Sequence, residues 1–195
     1  MNRVKKKEAG LTFRSLQYLK SRVFFNQHNV SPQVSYIYSP DGTDYSGDFH
    51  YTEAGVQLKY AYKERFIETP WGDFSQGTDY PILYANIRKS SEWLKGEFSS
   101  LHLEGRISQT FVTRNFGKTH LNLVGGWAMG DLPVFSLYNG NGSYGSNFSL
   151  QIDNSFATMK LNEFYADRFV SVFFRQNFGS LLFKTQFFAP RLSLV

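Results

Sequence analysis

Between Ala54 and Lys63 the even positions Ala54, Val56, Leu58, Tyr60 and Tyr62 are apolar or aromatic, while Gln57, Lys59 and Lys63 stand between them. A period of two marks a strand with unlike faces. From Leu101 to Phe111 the odd positions Leu101, Leu103, Ile107 and Phe111 alternate with His102, Glu104, Arg106, Ser108 and Thr110. Leu121, Leu123, Trp127 and Met129 oppose His120 and Asn122 in the same way. Between these two runs Arg114-Asn115-Phe116-Gly117-Lys118 is a tight-turn signal. Residues directly across a hairpin share a face. A turn centred on Phe116 and Gly117 therefore sets Phe111 against Leu121, Ile107 against Gly125, Gly105 beneath Trp127, Thr110 against Asn122 and Arg106 against Gly126.

Length sharpens the reading. Ordinary strands run to about 5 or 6 residues, whereas Glu97 to Arg114 and Phe156 to Gln176 keep strand character far longer. A bilayer-crossing strand needs about 9 to 11 residues. Weaker strand candidates are Thr12 to Asn26, Val34 to Tyr38, Tyr80 to Arg88 and Leu181 to Val195, for about eight strands in all and no helix. Arg168 to Phe174 is apolar on both phases, which calls for a bulge or a face covered by protein. Asn115 to Lys118 and Asn177 to Ser180 read as tight turns. Ser39 to His50, Thr69 to Asp79 and Gly130 to Asn154 read as long loops, the last long enough to fold into a barrel lumen. Short turns at one end and long loops at the other are the outer-membrane pattern. The expected fold is all-β: one domain over residues 1–195, an antiparallel up-and-down transmembrane β-barrel.

Composition agrees with separated faces: 18% of the residues are aromatic, yet mean hydropathy is −0.36. The strong aromatics Tyr60, Tyr62, Phe66, Trp71, Phe111, Phe116, Trp127 and Phe135 fall near strand ends, where interfacial girdles belong. Of these, Tyr60, Tyr62, Trp71, Phe111 and Trp127 are the candidate interfacial residues. The net charge is +5, but seven basic residues against the one Glu8 leave +6 in the first 22 positions and −1 over the other 173. Basicity confined to one segment argues against a nucleic-acid partner. There is no cysteine, hence no disulfide, thiolate metal site or cysteine catalysis. No apolar run approaches the length of a helical span. The charged opening Met1 to Lys7 leads into Arg14, Ser15 and Gln17, so it does not read as a signal peptide.

Four blocks carry a family resemblance: Glu64-Arg65-Phe66-Ile67; Gly77-Thr78-Asp79-Tyr80-Pro81-Ile82-Leu83; Gly130-Asp131-Leu132-Pro133 through Tyr138-Asn139-Gly140-Asn141-Gly142-Ser143-Tyr144-Gly145; and Asn154-Ser155-Phe156-Ala157-Thr158-Met159 through Asn162-Glu163-Phe164-Tyr165-Ala166-Asp167-Arg168. From about Ala9 onward the chain resembles the C-terminal β-barrel of uncharacterised outer-membrane proteins that carry an N-terminal carboxypeptidase-regulatory-like domain, common in Bacteroidota. That resemblance implies a signal peptide and a small β-sandwich without peptidase chemistry ahead of a barrel distantly similar to the outer-membrane assembly factors and bacterial surface antigens. It also implies that this chain is a fragment, incomplete at both ends, stopping at Pro190 to Val195 before further closing strands. The assembly factors carry an arginine-glycine-aromatic motif in a lumenal loop; Gly130 to Asn154 has no arginine, so insertion activity does not follow.

Chemistry is hard to find in this sequence. His102 and His120 lie about ten residues apart along the hairpin and share no site. His28 and His50 sit in turn-like contexts without an acidic or histidine partner at ligand spacing. Glu163 and Asp167 on one strand would stand roughly 13 Å apart, too far for an acid–base pair. Gly140, Gly142 and Gly145 lack the strand-then-helix setting of a nucleotide loop, and no Gly-x-Ser-x-Gly or His-Glu-x-x-His is present. Lys59, Lys63, His102, Glu104, Arg106 and Lys160 are the candidate lumen-lining residues. The expectation is a non-enzymatic bacterial outer-membrane barrel without cofactor, partnered by the lipid bilayer and by other envelope proteins. Its role would be transport, export or surface anchoring. A soluble lipocalin-like barrel binding an apolar ligand has the same period with its faces exchanged.

Overall fold

The computed structural model describes residues 3–33, 35–40, 42, 44–113, 116–140, 142–143, 156–160, 163–179 and 192–194. The chain is all-β. Its principal element is one antiparallel sheet, whose strands are β1 (Arg3–Leu16), β2 (Leu19–Ser31), β3 (Phe49–Ala61), β4 (Ile82–Ser90), β5 (Ser100–Thr113), β6 (Gly117–Gly130), β7 (Arg168–Gly179) and the short β8 (Leu192–Leu194). Each strand pairs with its neighbours in chain order, so the sheet is a meander. Two-stranded ribbons, including Arg65–Thr69 with Gly72–Gly77, decorate its ends. Among the described residues the helical structure is two single 3₁₀ turns, Trp93–Lys95 and Val134–Ser136, and no helix is long and apolar enough to cross a membrane.

Alternation along each strand becomes two opposite faces across the sheet. Leu11, Val23, Val56, Ile87, Leu103 and Trp127 follow one another from strand to strand on one face. The next row but one on that face is Leu19, Tyr60, Leu83, Ile107, Leu123 and Val172. Among the described residues, more than a dozen large apolar side chains on this face are at least a third exposed, among them Leu11, Trp127, Val170 and Phe174. The other face carries Arg14, Lys20, Arg22, Glu53, Lys59, Asn86, Arg88, His102, Glu104 and Arg106, and Glu53 and His102 on it are buried. The usual arrangement of a soluble sheet is thus reversed.

The core lies off the middle of the sheet. Phe49, Tyr51, Phe98 and Val30 are buried together, with Tyr36, Tyr38, Tyr45 and Phe135 packed around them. Ring centroids 5.2 to 5.8 Å apart join Phe98 to Tyr38, Tyr45, Phe49 and Tyr51, within the range where aromatic pairs attract. This aromatic knot closes the end of the sheet from which the connections 32–48, 91–99 and 131–167 leave.

Several sequence expectations shift. Thr12 to Asn26 is not one strand: Gln17 and Tyr18 turn the chain between β1 and β2. Phe156 to Gln176 divides into Phe156–Lys160 and β7, with Tyr165–Ala166 pairing instead with Tyr138–Asn139. Of Val34 to Tyr38, Val34 lies outside the described residues and Ile37–Tyr38 is strand among the rest, and Tyr80 to Arg88 is moved to Ile82–Ser90. Most of Leu181 to Val195, and Gly130 to Asn154 beyond its first half, lie outside the described residues. Thr69 to Asp79 leaves from the same sheet end as the connections that follow Leu16 and Thr113, so the division into short-turn and long-loop ends has this exception, and the segment is largely the 65–77 ribbon.

The β5–β6 hairpin closes one residue earlier than a turn at Phe116 and Gly117 predicts. Gly117, at φ +83°, already pairs with Thr113. Phe111 therefore faces Thr119, Ile107 faces Leu123, Thr110 faces His120, Arg106 faces Val124, and Gly105 faces Gly125 while Trp127 faces Leu103. Every face assignment survives, because the slip keeps partner sums even. At Arg168 to Phe174 the ladder with β6 is regular. The second apolar phase is covered by protein instead: Phe169 packs against Tyr138 and Phe173 against Phe156.

Candidate functional site: the polar face and its loop

Seven strands build the polar face, and cross-strand register sets its order. One row runs Gly10, Phe24, Gly55, Arg88, His102, Ala128, and the next runs Thr12, Arg22, Gln57, Asn86, Glu104, Gly126, Phe169. The glycines admit aromatic rings. A Cβ on Gly55 would stand 2.4 Å from Phe24 Cζ, and one on Gly126 would stand 2.5 Å from Phe169 Cε1.

A charged cluster sits beside the aromatic knot. Glu53, 5% exposed, lies 3.9 Å from His28 Nδ1 and 3.8 Å from Arg88 Nη1, and accepts a hydrogen bond from Ser90 Oγ at 3.4 Å. His28 stacks on Tyr51 with centroids 4.8 Å apart. His28 thus stands in β2, not in a turn, and does have an acidic partner. The sequence signal was there to read: Glu53 is a charge inside a strand whose flanks are apolar, and such a group calls for a counter-charge.

Residues 131–139 fold down onto this face. Asp131 and Ser99 exchange hydrogen bonds at 2.9 and 3.1 Å. The amides of Leu132 and Val134 donate to the hydroxyls of Tyr38 and Tyr36, each at 3.1 Å. His102 Nε2 lies 2.7 Å from Ser136 O, and Tyr138 Oη donates to Leu103 O at 3.1 Å. Burial raises the pKa of the Tyr138 hydroxyl, so it stays a donor at neutral pH. Beneath the loop, His28, Glu53, Arg88, His102, Glu104 and Tyr138 line a cavity of about 490 Å³.

Of the candidate lumen residues, Lys59, His102, Glu104 and Arg106 share the polar face. Lys63 does not: β3 ends at Ala61, and Lys63, at φ +49°, stands in the turn with its ammonium 5.4 and 5.9 Å from the Tyr62 and Tyr80 ring centroids. Lys160 lies on Phe156–Lys160, outside the principal sheet, and is exposed. Of the candidate interfacial aromatics, Tyr60, Phe111 and Trp127 are exposed on the apolar face. Tyr62 packs between Tyr18 and Tyr80 at the sheet end, with centroids 5.0 and 4.9 Å away. Trp71, 91% exposed, caps the 65–77 ribbon.

Other candidates fall apart in space. His120 pairs with Thr110, whose Oγ1 is 2.9 Å from Nδ1, and His102 lies eight ladder rungs away on β5. Glu163 and Asp167 are not on one strand: Glu163 accepts from the Lys160 amide at 2.8 Å, while the Asp167 carbonyl accepts from Ala128 at 2.7 Å. Among the described residues no three His, Asp or Glu side chains are grouped to hold a metal ion. Comparison with known protein families, curated proteins and solved structures found no match for this chain.

Proposed function

We propose that the chain is an integral outer-membrane β-barrel module without chemistry of its own, whose polar face serves transport, export or anchoring across the bacterial outer membrane. The observation that carries this reading is the reversal of faces. Apolar residues such as Leu11, Val56, Ile87, Ile107, Leu123 and Val172 are the exposed ones, whereas Glu53, His102 and Asn122 are buried. Soluble monomers seldom expose an apolar patch beyond roughly 300–600 Å², and seven strands of such residues far exceed that. Lipid is the solvent in which an apolar outside and a polar inside are both favourable.

The borders of the patch support the same reading. Towards the aromatic knot it gives way on the same face to Lys7, Gln27, Thr52 and Lys89. On β2 and β3 the apolar stretches Leu19–Phe25 and Ala54–Tyr60 are each about 20 Å long at 3.4 Å per residue, close to the roughly 25 Å apolar band of outer-membrane barrels. Trp127 near one border and Tyr60 and Phe111 near the other suit interfacial girdles.

Refolding with and without detergent micelles, followed by far-UV circular dichroism and heat-modifiable gel migration, tests the proposal. Sheet signal and a fast-migrating, heat-sensitive band in detergent alone are expected. Cooperative folding in plain buffer would overturn the membrane reading in favour of a soluble barrel.

A further inference from the structure

We infer that the polar face of β1 to β5 is an anion-binding surface suited to solutes bearing a phosphate, sulfate or carboxylate group. Register sets Arg14, Lys20, Lys59, Tyr84 and Arg106 side by side in one row across five neighbouring strands. Strands lie about 4.8 Å apart, and like charges placed directly opposite each other destabilise a sheet. Arg14, Lys20 and Lys59 are three such positions in succession. A row of this kind costs the fold stability unless an anion shares it.

The protein's own carboxylates neutralise only part of the row. Glu64 pairs with Lys59 at 2.6 Å, and Glu8 pairs with Arg22 in the next row. Lys20 and Arg106 make no ion pair within 4.0 Å among the described residues. The Arg106 guanidinium sits over the Tyr84 ring, with Cζ 3.8 Å from its centroid. This contact holds the guanidinium and leaves its N–H edge free to fork two oxygens of an oxyanion. Lys20, Arg22, Lys59 and Arg106 line one cavity of about 490 Å³ in which Glu104 is the single acid. It adjoins a second cavity of about 640 Å³ that Arg14, Lys20 and Lys59 also line. Rings of lysine and arginine are how pores select anions. Passage of anions through a bilayer rests on the membrane reading proposed above; their binding does not.

The test is calorimetric titration of the folded full chain with inorganic pyrophosphate at low salt, in whichever medium it folds. Saturable binding is expected, weakened at least about tenfold in the Lys20→Gln/Arg106→Gln variant, since each charged hydrogen bond contributes more than the equivalent of one decade. Lys89→Gln, on the apolar face, is expected to bind like the parent chain. The double variant is also expected to unfold at higher denaturant concentration without pyrophosphate, because repulsion along the row is relieved. Equal affinity in parent and double variant, or no binding by folded parent chain, would overturn the inference. A double variant that is less stable and binds unchanged would assign the cations to structure alone. Binding by a chain that folds in plain buffer keeps the anion surface and removes the membrane reading. Folding in micelles without binding does the reverse.

Discussion

Gly55 and Gly105 occupy similar mid-strand positions on opposite faces, and their surroundings predict opposite responses to a methyl group. At Gly55 a Cβ would meet the Phe24 ring at 2.4 Å and the Ile87 carbonyl at 2.7 Å, and the carbonyl belongs to the ladder and cannot step aside. At Gly105 nothing lies within 4 Å. Gly55→Ala should therefore destabilise the fold by about 1–3 kcal/mol, the usual cost of overpacking. Gly105→Ala should stay within about 0.5 kcal/mol. Urea unfolding midpoints of both variants in the medium that folds the parent check this, and equal midpoints would refute the ring-over-glycine packing. Sequence alone pointed to the wrong glycine, setting Trp127 over Gly105. Alternation at Leu101 to Phe111 fixes which residues share a face, since a strand has only two. It does not fix which of the even-sum registers the turn selects; that was decided at Gly117, whose positive φ lets the hairpin close one residue early. That Glu53 needs a counter-charge was legible, but its partners His28 and Arg88 were not, because the cluster joins three strands through registers that no local pattern reveals.

At the scale of elements, the connections are tied down by few and specific contacts. The 131–139 segment rests on His102, which is 2% exposed and holds the Ser136 carbonyl. His102→Ala would leave that carbonyl without its partner beneath the loop, at a cost of about 1–3 kcal/mol. Faster amide exchange at Asp131 and Leu137 is the expected result, with β5 and β6 unchanged, whereas exchange rising equally through the strands would mean that His102 supports the sheet itself. Tyr138→Phe, which loses the hydroxyl's bond to Leu103 and its interaction with Arg88, should show the same pattern more weakly.

The 65–77 ribbon is held by Glu64, which accepts from Lys59 Nζ at 2.6 Å and from Ser75 Oγ. Partial burial pushes the Glu64 carboxyl up, but hydrogen bonds from Lys59 and Ser75 and the Lys59 charge outweigh it, and the net pKa lies below its ordinary 4.5. A folded-state pKa below the unfolded one contributes stability that is complete above the ordinary value and is lost as pH falls through the lowered one. The ribbon should accordingly loosen as the pH falls below the ordinary carboxylate value, by on the order of 1 kcal/mol. Fluorescence anisotropy of Trp71, with Trp93 and Trp127 replaced by phenylalanine, should fall over that range. Glu64→Gln should give low anisotropy at every pH; an unchanged acid step in that variant would assign it to another carboxylate.

For the whole molecule the decisive quantity is which solvent each face meets, and the absence of cysteine makes that directly measurable. Single cysteines at Leu11, Val56, Ile87 and Val170 sample the apolar face across seven strands' breadth of sheet, while Lys7 and Lys89 sample its polar border. Gln57 and Asn86 sample the opposite face. If lipid covers the apolar face, the first four should react with a membrane-soluble maleimide after reconstitution into vesicles and resist a charged, water-soluble one. The border positions should react with both, and Gln57 and Asn86 should be reached by the small water-soluble reagent from the aqueous side of the sheet. A face that is exposed because a protein partner is missing would leave Leu11 and Val170 as open to the charged reagent as Lys7. The contrast rests on geometry that alternation made legible from the start: neighbouring residues on one strand, such as Val56 and Gln57, must report different solvents, a difference of one position that no loop movement or change of register can produce.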